Sequence, residues 1–244
     1  MSDRTRNNHR IGRLLLEGIV VIVSILIAFG LDAWWDRSVE RRDFVDDLAN
    51  VELELATNIA AVAAAVEFQA RAMASIDVLL DHAAATPVGA PMSVPDTVIL
   101  QAFVSTPSYD PSTGAIDALI ASGRLSDLDD AELKSILTDF RTAVLDIRED
   151  ELGARSAAHD RVLPLFWDSP AIASAFAKVN EIYDEGFGRV PMASQTVDLP
   201  HVDGLSNRLH FRRAWVIAAV RELEIHEARL KRAAELMSQQ LRDR

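Results

Sequence analysis

Cysteine is absent from the 244 residues, which excludes disulfides, thiol catalysis and thiolate metal sites together. The absence fits either face of a bacterial inner membrane and leaves topology open. Glycine and proline are scarce, ten and nine residues, and frequent alanine adds to the case for helices over turn-rich β architecture. Positive charge is in deficit, with a formal net charge of −12. Residues 1–35 hold four arginines (Arg4, Arg6, Arg10, Arg13) against three acids (Asp3, Glu17, Asp32), leaving 21 basic and 34 acidic residues beyond them, a balance of −13. A domain of that charge repels phosphate backbones, so nucleic acid is set aside as a partner.

Catalytic and cofactor motifs are missing as well. Neither GxGxxG nor GxxxxGK occurs, and GFG (186–188) alone cradles no phosphate. Ser122 before Gly123 lacks the Gly-x-Ser-x-Gly of a nucleophile elbow and reads as a helix end. His226 lies four residues after Glu222, but the Glu-x-x-His pair that bundle metal sites use does not occur. His201, Asp203 and Asp198 in DLPHVDG stand in a loop, where function concentrates, yet Asp and Gly are also what turns use. Structural or solvated roles are therefore expected for all of these. No catalytic residue, cofactor or metal ligand is assigned, and the chain reads as a non-enzyme.

What is present in strength is an apolar segment. From Leu14 to Trp35 the chain reads LLLEGIVVIVSILIAFGLDAWW, with an uncharged run from Gly18 to Leu31. That run rises only about 21 Å as a helix against a bilayer core of about 30 Å. It spans if its ends contribute: Leu14, Leu15 and Leu16 on one side, Trp34 and Trp35 as an interfacial aromatic anchor on the other, and Glu17 and Asp32 near the headgroups. A cleaved signal peptide fits the same arginines, short apolar core and small residues Ala28 and Gly30. The paired Trp and the helical pattern continuing beyond favour a retained anchor. Glu17, one turn inside the edge, suits a structural or partner contact better than transport chemistry. The basic N-terminal flank places residues 1–13 in the cytoplasm, residues 14–35 across a bacterial inner membrane, and the acidic domain 36–244 in the periplasm or its equivalent.

Asp36 to about Ala85 lacks Gly and Pro and reads as one long helix. Leu48, Leu55, Ile59, Val62, Val66, Met73, Ile76 and Leu80 form a heptad-like, coiled-coil seam broken at Gln69. TPVGAPMSVP (86–95) ends it, and a short helix over 96–105 follows with Val98, Ile99 and Phe103 on its buried side. Residues 112–140 read as a helical hairpin: one helix closed by Gly123, then one opened by Asp129 as N-cap with Glu132 at N3. The stripe Leu133, Ile136, Leu137, Phe140, Val144, Ile147 continues it toward Trp167, with Arg148, Glu149, Asp150 and Glu151 read as solvated and Gly153 and Pro164 bending or interrupting it. After a helix over 170–184 comes the longest irregular stretch, 185–204, a length uncommon without function or local disorder. The last helix runs from about Leu205 with Val216, Val220, Leu223, Leu230, Met237 and Leu241 on its seam and Glu227 where a hydrophobe is expected. The fold class is all-α: a transmembrane helix continuing into a bundle of about four to six helices, its spine the antiparallel first and last.

This order of features resembles a family of uncharacterised bacterial single-pass membrane proteins. The resemblance rests on Glu17 followed by an apolar run with ILIA (25–28) and a Trp near Trp34, and on the Glu-Leu and Asn of VELELATN (51–58). It rests also on the SGRL turn (122–125) followed by DAELKSIL, and on a C-terminal helix opening with Asn207 and ending in heptads. GLDAWW (30–35) departs from the Gln, Asn and single Trp usual there. The resemblance implies an anchored helical domain of unknown function and brings no catalytic residues.

The leading expectation is a membrane-tethered interaction or scaffold module that meets another protein or a second copy of itself, with Gln69 and Glu227 as candidate contacts because polar seam positions set register or leave surface for a partner. The alternative is a ligand-sensing bundle acting through a partner. An enzyme using the 185–204 loop comes last.

Overall fold

The computed structural model describes residues 3–104, 106, 108–185 and 194–242, with side chains from residue 23 onward except at 180–185. Helices make up 82% of the chain, and the only sheet among the described residues is one two-stranded ribbon, so the fold is all-α. The elements are α1 (Asp3–Ala85), β1 (Pro91–Pro95), α2 (Asp96–Ile99) continuing into a π-helix (Leu100–Val104), α3 (Gly114–Ala121), a 3-10 turn (Arg124–Asp127), α4 (Ala131–Ser156) with a second π-helix (Ala157–Val162) and a 3-10 turn (Leu163–Phe166), α5 (Pro170–Glu185), β2 (Thr196–Pro200) and α6 (Leu205–Arg242).

The chain divides into two units, residues 1–50 and 51–244. The first is helix throughout its described length, as an unbroken apolar and charged sequence without Pro dictates. Among the described residues one helix is long and apolar enough to cross a membrane, and it lies near the N-terminus. Its large side chains Ile25, Leu26, Ile27, Phe29 and Leu31 are all exposed, as are Trp34 and Trp35 at 64% and 60%. The Glu17 side chain lies outside the described residues.

In the second unit three long helices pack by heptads. On α6 the buried positions Leu205, Leu209, Arg212, Val216, Ala219, Leu223, His226, Leu230, Ala233, Met237 and Gln240 follow steps of four and three, with Leu236 buried beside them. The α4 seam is Leu133, Leu137, Phe140, Ile147, Glu151 and Ala154, with partly buried Val144 in sequence. On α1 it is Val51, Leu55, Asn58, Val62, Gln69, Ala72, Ile76, Leu79 and Ala83. Steps averaging 3.5 keep one stripe facing the partner helices along their whole length. The α1 stripe is rotated from the expected one: Ile59, Val66, Met73 and Leu80 sit at its margin, and small or polar Asn58, Gln69 and Ala72 take the centre.

The first and last helices run antiparallel side by side. Glu52 meets Ser238 and Asp77 meets Arg213, 25 residues along each helix in opposite senses. The closest helix pair, however, is α4 with α6. Gly153 explains it: a Cβ there would lie 2.8 Å from Cδ2 of the Trp215 indole, and glycine lets the ring lie against the α4 backbone. Gly153 therefore does not bend α4, which continues as α-helix to Ser156.

Two stretches read as irregular pair with each other. Pro91–Pro95 and Thr196–Pro200 form an antiparallel ribbon in the register Met92 to Leu199 and Val94 to Val197. Met92, Val94 and Leu199 turn inward to the core by the alternation of a strand, and the prolines sit at the strand ends, where a missing N–H costs no ladder bond. The rest of the 185–204 expectation, residues 186–193, lies outside the described residues.

The expected α4 cap is off by one residue. Asp130, extended at φ −85° and ψ 122°, is the N-cap and its Oδ1 accepts the Leu133 N–H at 2.8 Å. Asp129 bonds Gln240 of α6 instead, and Glu132 pairs with Arg232. Gly123 does close α3, in the left-handed conformation at φ 76°.

Candidate functional site

Polar residues on the apolar seams are where the chain departs from core-building, since each buried polar group costs stability unless it is hydrogen-bonded. On α6 they are Arg212, His226 and Gln240, each two heptads from the next, and each holds a segment arriving from elsewhere. Arg212 donates to the Ala102 carbonyl in the first π-helix, Nε to O at 3.4 Å, and to the Ala154 carbonyl at the end of α4. Burial pushes its guanidinium down to about 10. Gln240 exchanges hydrogen bonds with Asp129 before α4: its Nε2 donates to Oδ2 at 2.7 Å, and its Oε1 accepts the Asp129 N–H at 3.2 Å.

His226 belongs to a buried chain that crosses the bundle. Its Nε2 lies 3.2 Å from the Tyr109 hydroxyl, and its ring packs against those of Tyr109 and Phe140. At the other end of Tyr109 the backbone N–H donates to both oxygens of Glu151, at 2.9 and 3.1 Å. Burial pushes the Glu151 carboxyl up to about 7, against the Tyr109 hydrogen bond and the Arg155 and Arg148 charges. Burial and the Arg229 charge push His226 down to about 4. Tyr109 is raised by burial and by the Glu151 charge. His226 Nδ1 has no partner, and the ring lines a small cavity between α4 and α6 with Ile136, Asp139, Phe140, Ala143, Arg229 and Leu230, with room for about one water molecule.

Two further carboxylates hold loops. Glu54 accepts from Ser112 Oγ at 2.6 Å and from the Ile116 N–H at 2.8 Å, and Asn58 pairs with the Ser112 backbone in both directions, at 2.8 and 2.9 Å. The VELELATN motif thus anchors the start of α3. Asp96, fully buried, accepts from Ser174, Ser194 and the Gln195 N–H, with Lys178 at 3.7 Å. Burial works against its charge, but these bonds and the Lys178 ammonium outweigh it and hold the carboxyl below its usual range.

The residues singled out from the sequence are dispersed. Gln69 is buried in the α1 seam with Oε1 unpartnered, and Glu227 lies beside the α6 seam in an ion pair with Lys231 at 2.7 Å. His201 is structural: its Nδ1 donates to the Thr86 carbonyl at 2.7 Å, and its backbone extends the ribbon to Ala90 and Gly89. Asp198 accepts from Ser93 across the ribbon, and Asp203 is exposed. Among the described residues no three His, Asp or Glu side chains come together as metal ligands. Sequence reasoning missed Glu54, Asp96, Tyr109, Arg212 and Gln240, and it placed Glu151 on a solvated face where the structure buries it. The signal for three of them was the heptad itself, which puts Glu151, Arg212 and Gln240 at core positions.

Fold and site together define a helical protein with one candidate membrane-spanning helix and a heptad-packed bundle whose core polar groups tie connecting segments to long helices. Compared with known proteins, the chain matches no family model, no curated protein and no solved structure.

Proposed function

We propose that the chain is a membrane-anchored, non-enzymatic interaction module, held in a bacterial inner membrane by residues 14–35 with its acidic helical domain outside the cytoplasm. The observation that carries this reading is the exposed apolar surface of residues 23–35, where consecutive large hydrophobes face solvent around the helix. A soluble protein rarely exposes such a surface, and a lipid environment removes its cost. The basic N-terminal flank supports the orientation, and the resemblance to single-pass membrane proteins points the same way. The interaction role draws on the bundle's composition: among the described residues its core polar groups are used to fix connecting segments. A net charge of −13 beyond residue 35 opposes self-association of the acidic surfaces and favours a partner with a basic face over a homo-oligomer.

The test is protease accessibility in intact spheroplasts, combined with N-terminal sequencing of the membrane-bound chain. Digestion of the domain from outside, with residues 1–35 retained, is the expected outcome. Protection would reverse the orientation, and a mature chain beginning near Leu31 would replace the anchor by a signal peptide.

A further inference from the structure

Besides the seam that closes the core, α6 carries a second apolar stripe on its outside. Phe211 and Ile225 are 48% and 41% exposed and stand two heptads apart, with partly exposed Ala218 midway between them. A lone exposed hydrophobe needs no explanation, but side chains seven residues apart return to one face, the interval that helix packing uses. From Phe211 to Ile225 the stripe rises about 21 Å, close to four turns.

This stripe borders the groove that α6 forms with α4. The two helices run antiparallel in contact, Glu132 beside Arg232 at one end and Gly153 under the Trp215 indole toward the other. The Trp215 ring meets Phe211 edge-on at 6.5 Å, and Arg161 lies over Phe211 at 5.9 Å. Alongside the middle of the stripe the charge is negative. Asp146 and Glu149 are exposed and Asp150 half-buried on α4, and Glu222 of α6 is near enough to act on Asp150. Among the described residues none of these four acids forms an ion pair. Arg148 leans instead toward Asp110, at 4.0 Å, and the exposed cation nearest the middle of the stripe in sequence is Arg221.

We propose that the outer groove between α4 and α6 is the docking site for an amphipathic helix of a partner protein, its apolar stripe against Phe211, Ala218 and Ile225 and its lysines or arginines against Asp146, Glu149, Asp150 and Glu222.

For a chain already read as an interaction module, this site specifies which surface meets the partner and what that partner must carry. An amphipathic helix in a groove matches the heptad interval of the apolar wall, and basic residues match the acids that the chain itself leaves unpaired. A second copy docked by twofold symmetry would bring the same acidic patch to the interface from both sides, and a lipid surface offers these carboxylates no counter-charge.

The test places a photoreactive benzoylphenylalanine at Ala214 or Ile225 in the full chain in its host membrane, with exposed Glu67 of α1 as the control position. Both groove positions should cross-link one protein, and mass spectrometry should locate the adduct in a helix whose apolar heptads are flanked by Lys or Arg. Asp146→Asn with Glu149→Gln and Glu222→Gln should lower the yield about tenfold, because rim charges govern encounter. That variant relieves repulsion around Asp150, so circular dichroism should show the helices intact. An adduct on a second copy, on lipid or on an acidic segment overturns the proposal, as does an unchanged yield in the triple variant. Cross-linking from Glu67 alone overturns the groove and leaves the interaction module standing; cross-linking from no position overturns both.

Discussion

Glu151 and His226 are joined through one tyrosine, yet burial drives their titrations in opposite directions. Glu151 titrates near 4.5 in the unfolded chain and near 7 when folded. Between those values the folded form holds more protons, and stability falls as pH rises. His226 titrates near 6.5 unfolded and near 4 folded, so between those values the unfolded form holds more protons and stability falls as pH drops. Each contribution is on the order of 3 kcal/mol, and the two slopes oppose each other where the windows overlap, from about pH 4.5 to 6.5. Relative to wild type, Glu151→Gln should therefore lose stability progressively as pH is lowered through 6.5. His226→Phe should gain it as pH is lowered from 7 toward 4.5. Urea midpoints for the three proteins across pH 4 to 8 check this, and parallel profiles would refute the assignment. Neither residue stood out as a pair in the sequence, because 75 residues separate them and the residue that joins them lies in a loop between prolines.

At the scale of elements, sequence periodicity carried much of the architecture. The long first and last helices, the helix that closes at Gly123 and the buried side of 96–104 were all legible, because each rests on local spacing and caps. The ribbon was not, since its strands lie about a hundred residues apart and each is only five residues long between prolines. Nor was the choice of α4 as the nearest neighbour of α6, which depends on one glycine meeting one indole. Gly153→Ala tests that contact directly. Alanine favours the helix by about 1 kcal/mol over glycine, but a Cβ driven into the Trp215 ring costs about 1–3 kcal/mol. The balance should lower the melting temperature, and Trp215→Leu in the same chain should relieve it. A stabilised Gly153→Ala would show that α4 and α6 are further apart than the structure places them. The start of α3 tests a different kind of link: Glu54→Ala removes the acceptor for Ser112 and Ile116 and should cost about 1–3 kcal/mol. Exchange of the 114–121 amides should rise first, ahead of the rest of the bundle.

For the whole molecule the decisive quantity is the length of the apolar helix against the thickness of a bilayer. The span from Leu14 to Trp35 is 22 residues, a rise of about 33 Å against roughly 30 Å of hydrocarbon, so it has almost no length to spare. A span so short tolerates little additional charge near its centre. Arginine there costs about 2.5–3.5 kcal/mol on the insertion scale, so Ile25→Arg combined with Phe29→Arg should remove enough transfer energy to abolish insertion. The wild-type chain should stay with the membrane pellet after alkaline carbonate extraction. The double variant should move to the soluble fraction while far-ultraviolet circular dichroism retains strong helical signal, because the heptad seams from Val51 onward do not include either position. Extraction of the wild type by carbonate would argue instead for a peripheral helix lying on the surface. Loss of helical signal in the double variant would mean that the apolar helix supports the bundle rather than merely tethering it.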